Sequence, residues 1–172
     1  MAADSDLGAR LGALERRLGA VEDVEAIRRL KARYGELVDD RYLRGTARPA
    51  EELAPRAREI ARLFTEDALW DGGRVLGSCR GRAEIEARMA EPTLRFSRHY
   101  FVKPHIEVDG PRGRGRWDLL APCTTRDGRP HWMAGVEDDE YEKVDGVWLH
   151  AAMKLRVVFL APHETGWGSP AS

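Results

Sequence analysis

Three Asp-Gly pairs, Asp109-Gly110, Asp127-Gly128 and Asp145-Gly146, recur at a constant spacing of eighteen residues and constrain this chain more than any other feature. Asp-Gly between apolar runs marks a tight turn, because both residues tolerate the positive φ angles that such turns need. The runs around these pairs are His99–Val108, Arg114–Thr124, His131–Val144 and Val147–Leu160, all rich in Val, Ile, Leu, Trp and Tyr. The pattern predicts four long antiparallel strands in up-down order. A sheet of that size buries one face against something, and the helical first half of the chain is the available cover. Function is expected in the space between the two.

The 172 residues suit one domain with a sizeable core. A net charge of −1, with Arg interspersed among Glu and Asp, gives no overall field to recruit nucleic acid or an anionic membrane. Cys79 and Cys123 form neither a metal-type spacing nor a disulfide framework, so a reduced, cytoplasmic protein is expected. Residues 1–20 have no apolar leader core, and no run reaches the roughly twenty apolar residues of a membrane span.

Along the chain, Leu7, Leu11, Leu14, Leu18 and Val21 form one apolar helical stripe. It predicts an N-terminal helical extension over residues 1–22, docking on a neighbour or its own domain or serving as an oligomer seam. Gly19 weakens that helix, and Asp23 is placed to cap a second one that carries Val24, Ile27, Leu30, Tyr34, Leu37 and Val38 inward. A linker over Arg44–Pro55 and a third helix over Pro55–Phe64 follow. A short strand, Ala68–Asp71, turns at Gly72-Gly73, and another helix, Arg82–Ala90, stops at Pro92. The meander completes an α+β domain over 23–162, and a flexible tail is expected over 163–172.

No phosphate-binding glycine loop, nucleophile elbow or zinc-type His-Glu-x-x-His motif is present. The acid–base candidates are scattered: Tyr34, Asp39, Asp40, His99, His105, Asp118, His131, His150 and Arg156. The run Glu137-Asp138-Asp139-Glu140 is rejected as a metal site, because alternate strand residues face opposite ways; a solvated run is expected there.

Several segments resemble the SnoaL-like branch of the nuclear-transport-factor-like fold. They are Leu30–Tyr34 with Asp39, Ala61–Trp70, His99 with Pro104–Gly110, Gly115–Trp117, Asp138 with Tyr141 and Gly146–Trp148, and Leu155–Val157. The resemblance spans residues 24–160 and leaves the N-terminal stripe and the Arg44–Pro55 segment outside. It implies a cone-shaped, curved antiparallel sheet, a four-stranded meander plus a small hairpin, covered by N-terminal helices around a pocket. Members of this fold include scytalone dehydratase, bile-acid dehydratase, hexachlorocyclohexane dehydrochlorinase, steroid isomerase and polyketide cyclases. The dehydratase branch uses a His–Asp pair without cofactor or metal. Carried over, the pair is His99 and Asp39, with Tyr34 five residues before the acid, Arg156 on the last strand and Asp118 as a further acid. The resemblance also implies a homo-oligomer, dimer or trimer.

The chemistry suits these residue types. An imidazole is a good base near neutral pH, and a carboxylate behind it fixes the tautomer and stabilises the imidazolium. A buried Tyr hydroxyl or an Arg can stabilise a developing enolate or leaving group. Helical spacing does not choose between Asp39 and Asp40; only the resemblance favours Asp39. Strict alternation groups His99 with His105 and Glu107, opposite Ile106 and Val108, unless a bulge near Pro104 shifts the phase. The same count turns Arg156 away from Leu155 and Val157. Trp70, Phe101, Trp117, Trp132 and Met153 are the candidate pocket lining. The expected activity is that of a cofactor-independent lyase or isomerase. Its substrate would be a hydrophobic, carbonyl-bearing polycyclic, steroid-like or polyketide-like molecule. The alternatives are a cyclase with Asp118 as base and a non-catalytic small-molecule-binding or assembly module.

Overall fold

Residues 2–164 are described by a computed structural model, with side chains from residue 7 onward; most of the expected tail lies outside them. The chain opens with one helix, α1 (Ala2–Asp39), where two were expected. Gly19 costs a helix only about 1 kcal/mol, too little to break it. Asp23 caps nothing: its carboxylate accepts from Lys143 Nζ at 2.6 Å and Trp148 Nε1 at 2.8 Å.

The expected linker is also structured. It forms a hairpin of β1 (Tyr42–Leu43) and β2 (Thr46–Ala47), then α2 (Ala50–Ala61), which starts before Pro55 rather than at it. Glu51 and Glu52 in the first turn of α2 complement its dipole. Next come β3 (Phe64–Asp71), a turn of helix α3 (Gly73–Leu76), β4 (Ser78–Arg80) and α4 (Arg82–Ala90). The remaining strands are β5 (Phe96–Ser97), β6 (Tyr100–Asp109), β7 (Arg112–Thr124), β8 (Pro130–Val144) and β9 (Val147–Pro162).

The meander β6–β9 is antiparallel as the Asp-Gly turns require, with Asp145 and Gly146 both at positive φ. The small hairpin β3–β4 joins the same sheet through a parallel pairing of β3 with β9. The sheet is strongly curled, and its buried face alternates along β7 as Gly113, Gly115, Trp117, Leu119, Ala121 and Cys123. Glycine is required where the wall closes on a ring: a Cβ on Gly115 would lie 2.8 Å from Tyr141 Cε2. Against this face pack α1, α2 and α4, burying Ile27, Tyr34, Leu37, Val38, Ile60 and Ile85.

Two irregularities in one edge of the sheet decide what reaches the interior. Strands β5 and β6 both pair with β7, and the edge is broken between them at Arg98 and His99. The β6–β7 register then shifts between Val102 and His105, with Lys103 at φ 52° beside Pro104. That bulge shifts the alternation so that Phe101, opposite Leu119, lies on the same face as Ile106 and Val108.

Candidate active site

The last turn of α1 delivers Asp39 to the break in the sheet edge. A carboxylate is disfavoured at a helix C-terminus, where the dipole is negative, so its partners matter. His99, released from the ladder, donates its backbone N–H to Asp39 Oδ1 at 3.0 Å, and its ring Nδ1 lies 2.8 Å from the same oxygen. Arg98 Nε stands 3.2 Å from Oδ2. The Asp39 and His99 side chains are only 7% and 14% exposed. With Nδ1–H as the donor to this carboxylate oxygen, the lone pair of Nε2 is left free.

The neighbouring Asp40 has a different task. It is half exposed and binds Arg48 at 3.0 Å and Arg56 at 2.6 Å, tying the β1–β2 hairpin and α2 to the end of α1.

His99 borders a narrow cavity in two lobes, of about 50 and 20 Å³. Tyr34 and Trp70 line both lobes. Tyr34 Oη accepts from Trp70 Nε1 at 3.1 Å, and burial pushes its pKa above the ordinary range. The phenol therefore stays protonated, with its own O–H available to donate. In the larger lobe the wall includes Arg41 and Ser97. Arg41 is buried and donates to the carbonyls of Val38 and Met89, whereas the buried Ser97 hydroxyl has no hydrogen-bond partner among the described residues. Met153, Leu155 and Glu137 line the smaller lobe.

Glu137 belongs to a buried charge cluster that the sequence reading missed. Lys31 on α1 bonds Glu137, and also Asp139 at 2.7 Å; Tyr141 Oη donates to Asp139 at 2.8 Å and accepts from Trp117 Nε1 at 3.0 Å. Burial pushes the Asp139 carboxyl up to about 6, although Lys31 opposes the shift. The expected solvated run is thus a correction: Glu137 and Asp139 point inward while Asp138 and Glu140 point out. The available signal was Lys31 itself, a lysine on the inward stripe Ile27–Lys31–Tyr34–Val38 that needs a buried counter-charge. Beside this cluster His150 is wholly buried among Tyr34, Phe64 and Tyr141, and burial drives its pKa well below the usual value.

Of the residues singled out from the sequence, Tyr34, Asp39, His99, Trp70 and Met153 come together. Phe101 stacks on His99, with ring centroids 5.9 Å apart, and also meets Lys31, whose Nζ lies 4.3 Å from its centroid. Trp117 points inward but is committed to Tyr141. Three others do not reach the cavity. Asp118 lies on the outer face, bonded to Lys103 at 2.6 Å. Arg156 is exposed opposite Val136, as alternation requires. Trp132 sits toward the sheet end and donates to His163. Among the described residues no cluster of metal-ligating side chains occurs and no helix is long and apolar enough to cross a membrane.

Fold and site together define an α+β cone protein with an imidazole–carboxylate pair on an internal cavity. Residues 19–154 match the model of the SnoaL-like domain, and the chain belongs to that family. Solved structures share the fold. A hexachlorocyclohexane dehydrochlorinase, LinA-type3 from Novosphingobium barchaimii, is 22% identical with a TM-score of 0.68, covering 85% of this chain and 93% of its own. A scytalone dehydratase candidate from Novosphingobium aromaticivorans is 21% identical with a TM-score of 0.66, covering 82% and 87%. Rv3472 from Mycobacterium tuberculosis, of unknown function, is 24% identical with a TM-score of 0.61, covering 78% and 76%. No curated protein matches the chain.

Proposed function

We propose that this protein is a cofactor-independent lyase or isomerase of the dehydratase type, with His99 as its base. The observation that carries the reading is the bond between His99 Nδ1 and Asp39, on the wall of a cavity that also holds a protonated Tyr34. The dehydrochlorinase and the scytalone dehydratase candidate among proteins of similar fold add support.

In this reading Nε2 of His99 takes a proton from a carbon next to a carbonyl. The electron pair of that C–H bond moves toward the carbonyl oxygen, where the Tyr34 hydroxyl stabilises the enolate. The enolate then expels a hydroxyl from the adjacent carbon, which leaves as water with the proton held on His99, or it is reprotonated elsewhere to give an isomer. Asp39 stabilises the imidazolium between these steps. Arg41 and Ser97 supply a polar end for the substrate, and Lys31 holds Glu137 at the opposite end.

The size of the cavity bears on the substrate. Pockets for drug-sized ligands occupy about 300 Å³ or more, far above the two lobes here. The lobes are also smaller than the roughly 150 Å³ cavity that holds one aromatic ring, so a small acyclic hydroxy-carbonyl compound is favoured over the polycyclic molecules expected from the resemblance. The latter need Leu76 and the segment carrying Thr93 and Leu94 to move aside. With Asp118 on the outer face, a cyclase using it as base has no support.

The test is exchange chemistry. In D₂O, the protein is incubated with a panel of small β-hydroxy ketones, and deuterium at the α-carbon and loss of water are followed by NMR. Exchange or dehydration that disappears in His99→Gln supports the proposal; equal rates in both proteins refute it.

A further inference from the structure

The N-terminal half of α1 is unexplained by the domain it precedes. Leu7, Leu11, Leu14, Leu18 and Val21 are each between 56% and 67% exposed. The family match starts only at residue 19, so most of this stripe is an addition to the shared fold. Nor is it an overhang of the domain-facing side of the helix. At 100° per residue, Leu14 and Tyr34 lie about 200° apart around the axis. The stripe therefore looks away from its own domain, and the continuous helix cannot fold it back. Gly8, Gly12 and Gly19 each cost the helix about 1 kcal/mol, so this half gains from an external support.

The spacing of four, three, four and three residues is that of a coiled-coil seam, with Leu7, Leu14 and Val21 at d and Leu11 and Leu18 at a. That register puts Arg10 and Arg17 at g, and Glu15 and Glu22 at e; all four are exposed. Between parallel helices, g of one chain faces e of the next heptad in the other. Arg10 then meets Glu15 of a second copy, Arg17 meets Glu22, and the same pairs repeat with the roles exchanged. An antiparallel pair would set Arg against Arg and Glu against Glu. We infer that residues 7–22 form a parallel two-chain coiled coil with a second copy of this protein, standing beside the two cavities rather than closing them.

The experiment uses the full chain. Sedimentation equilibrium at micromolar concentration should give about twice the 19.3 kDa chain mass. The Leu11→Glu/Leu18→Glu variant should fall to the single-chain mass while its near-ultraviolet circular dichroism stays that of the folded domain, since neither side chain touches the core. A wild-type monomer, or an assembly whose mass the double substitution leaves unchanged, overturns the inference. Orientation is read separately by oxidation of Leu7→Cys. A parallel pair places the two new thiols together and yields a reducible dimer absent from the unsubstituted chain, whose Cys79 and Cys123 serve as the control. Failure to cross-link, or cross-linking only when Leu7→Cys is mixed with Val21→Cys, overturns the parallel arrangement. A charge exchange gives a further check: Arg10→Glu/Arg17→Glu should dissociate alone and reassociate when mixed with Glu15→Arg/Glu22→Arg.

Discussion

Replacing Lys31 by Met tests what holds the interior of the cone together. Lys31, Glu137 and Asp139 are 1%, 5% and 2% exposed, so the lysine is the neighbouring cation for two carboxylates that water does not reach. Methionine fills much the same volume without the charge. Removing one member of a buried ion pair costs about 3–5 kcal/mol, because the other member stays behind uncompensated. For a domain of this size that corresponds to a fall of about 6–20 °C in Tm. The pH dependence has a definite sign. Asp139 titrates near 6 when folded, above its ordinary 3.8. Its protonation therefore favours the folded state at low pH, and that contribution is lost as pH rises through about 6. Without Lys31 the folded value rises further, so Lys31→Met should approach wild-type stability near pH 4–5 and fall away from it toward neutrality. Urea unfolding at a series of pH values measures both effects. Wild-type stability within about 1 kcal/mol at pH 7, or a gap that does not narrow on acidification, would show that the cluster is not the buried charge network described here. Restoring neutrality with Lys31→Met/Glu137→Gln/Asp139→Asn should recover much of the loss.

Three further outcomes follow from the same geometry. His99→Gln should lower turnover of any substrate found by exchange screening about 10²–10⁴-fold while leaving the circular dichroism spectrum unchanged. Asp40→Asn, by contrast, removes exposed ion pairs with Arg48 and Arg56; stability should drop by no more than about 1 kcal/mol, with activity retained, which separates it from its neighbour Asp39. Gly115→Ala forces a methyl against Tyr141 and Trp117 and should cost about 1–3 kcal/mol, seen as a lower midpoint in thermal unfolding.

The meander was legible because its determinants are local. Asp-Gly turns and alternating apolar residues mark four strands, and Pro104 marks the bulge. What lay beyond the sequence was set by tertiary partners. Asp23 reads as a helix cap, yet its oxygen is claimed by Lys143 and Trp148 on distant strands. The Arg44–Pro55 segment reads as a linker because nothing local announces that Asp40 will anchor Arg48 and Arg56. Within the site, the pairing of Asp39 with His99 depends on a break in one sheet edge, and no periodicity foretells which two residues leave the ladder. Lys31 was visible as an anomaly on an inward stripe; its two carboxylates were hidden in a run that alternation allowed to face either way.

The proposed chemistry depends on the state of one imidazole. Two-dimensional ¹⁵N–¹H spectra of the side-chain nitrogens of His99 in the folded protein at neutral pH read that state directly, without a substrate. A protonated Nδ1 with an unprotonated Nε2, altered by Asp39→Asn, is the predicted result. A His99 signal that averages both tautomers as an exposed histidine does, and that ignores the Asp39 substitution, would contradict it.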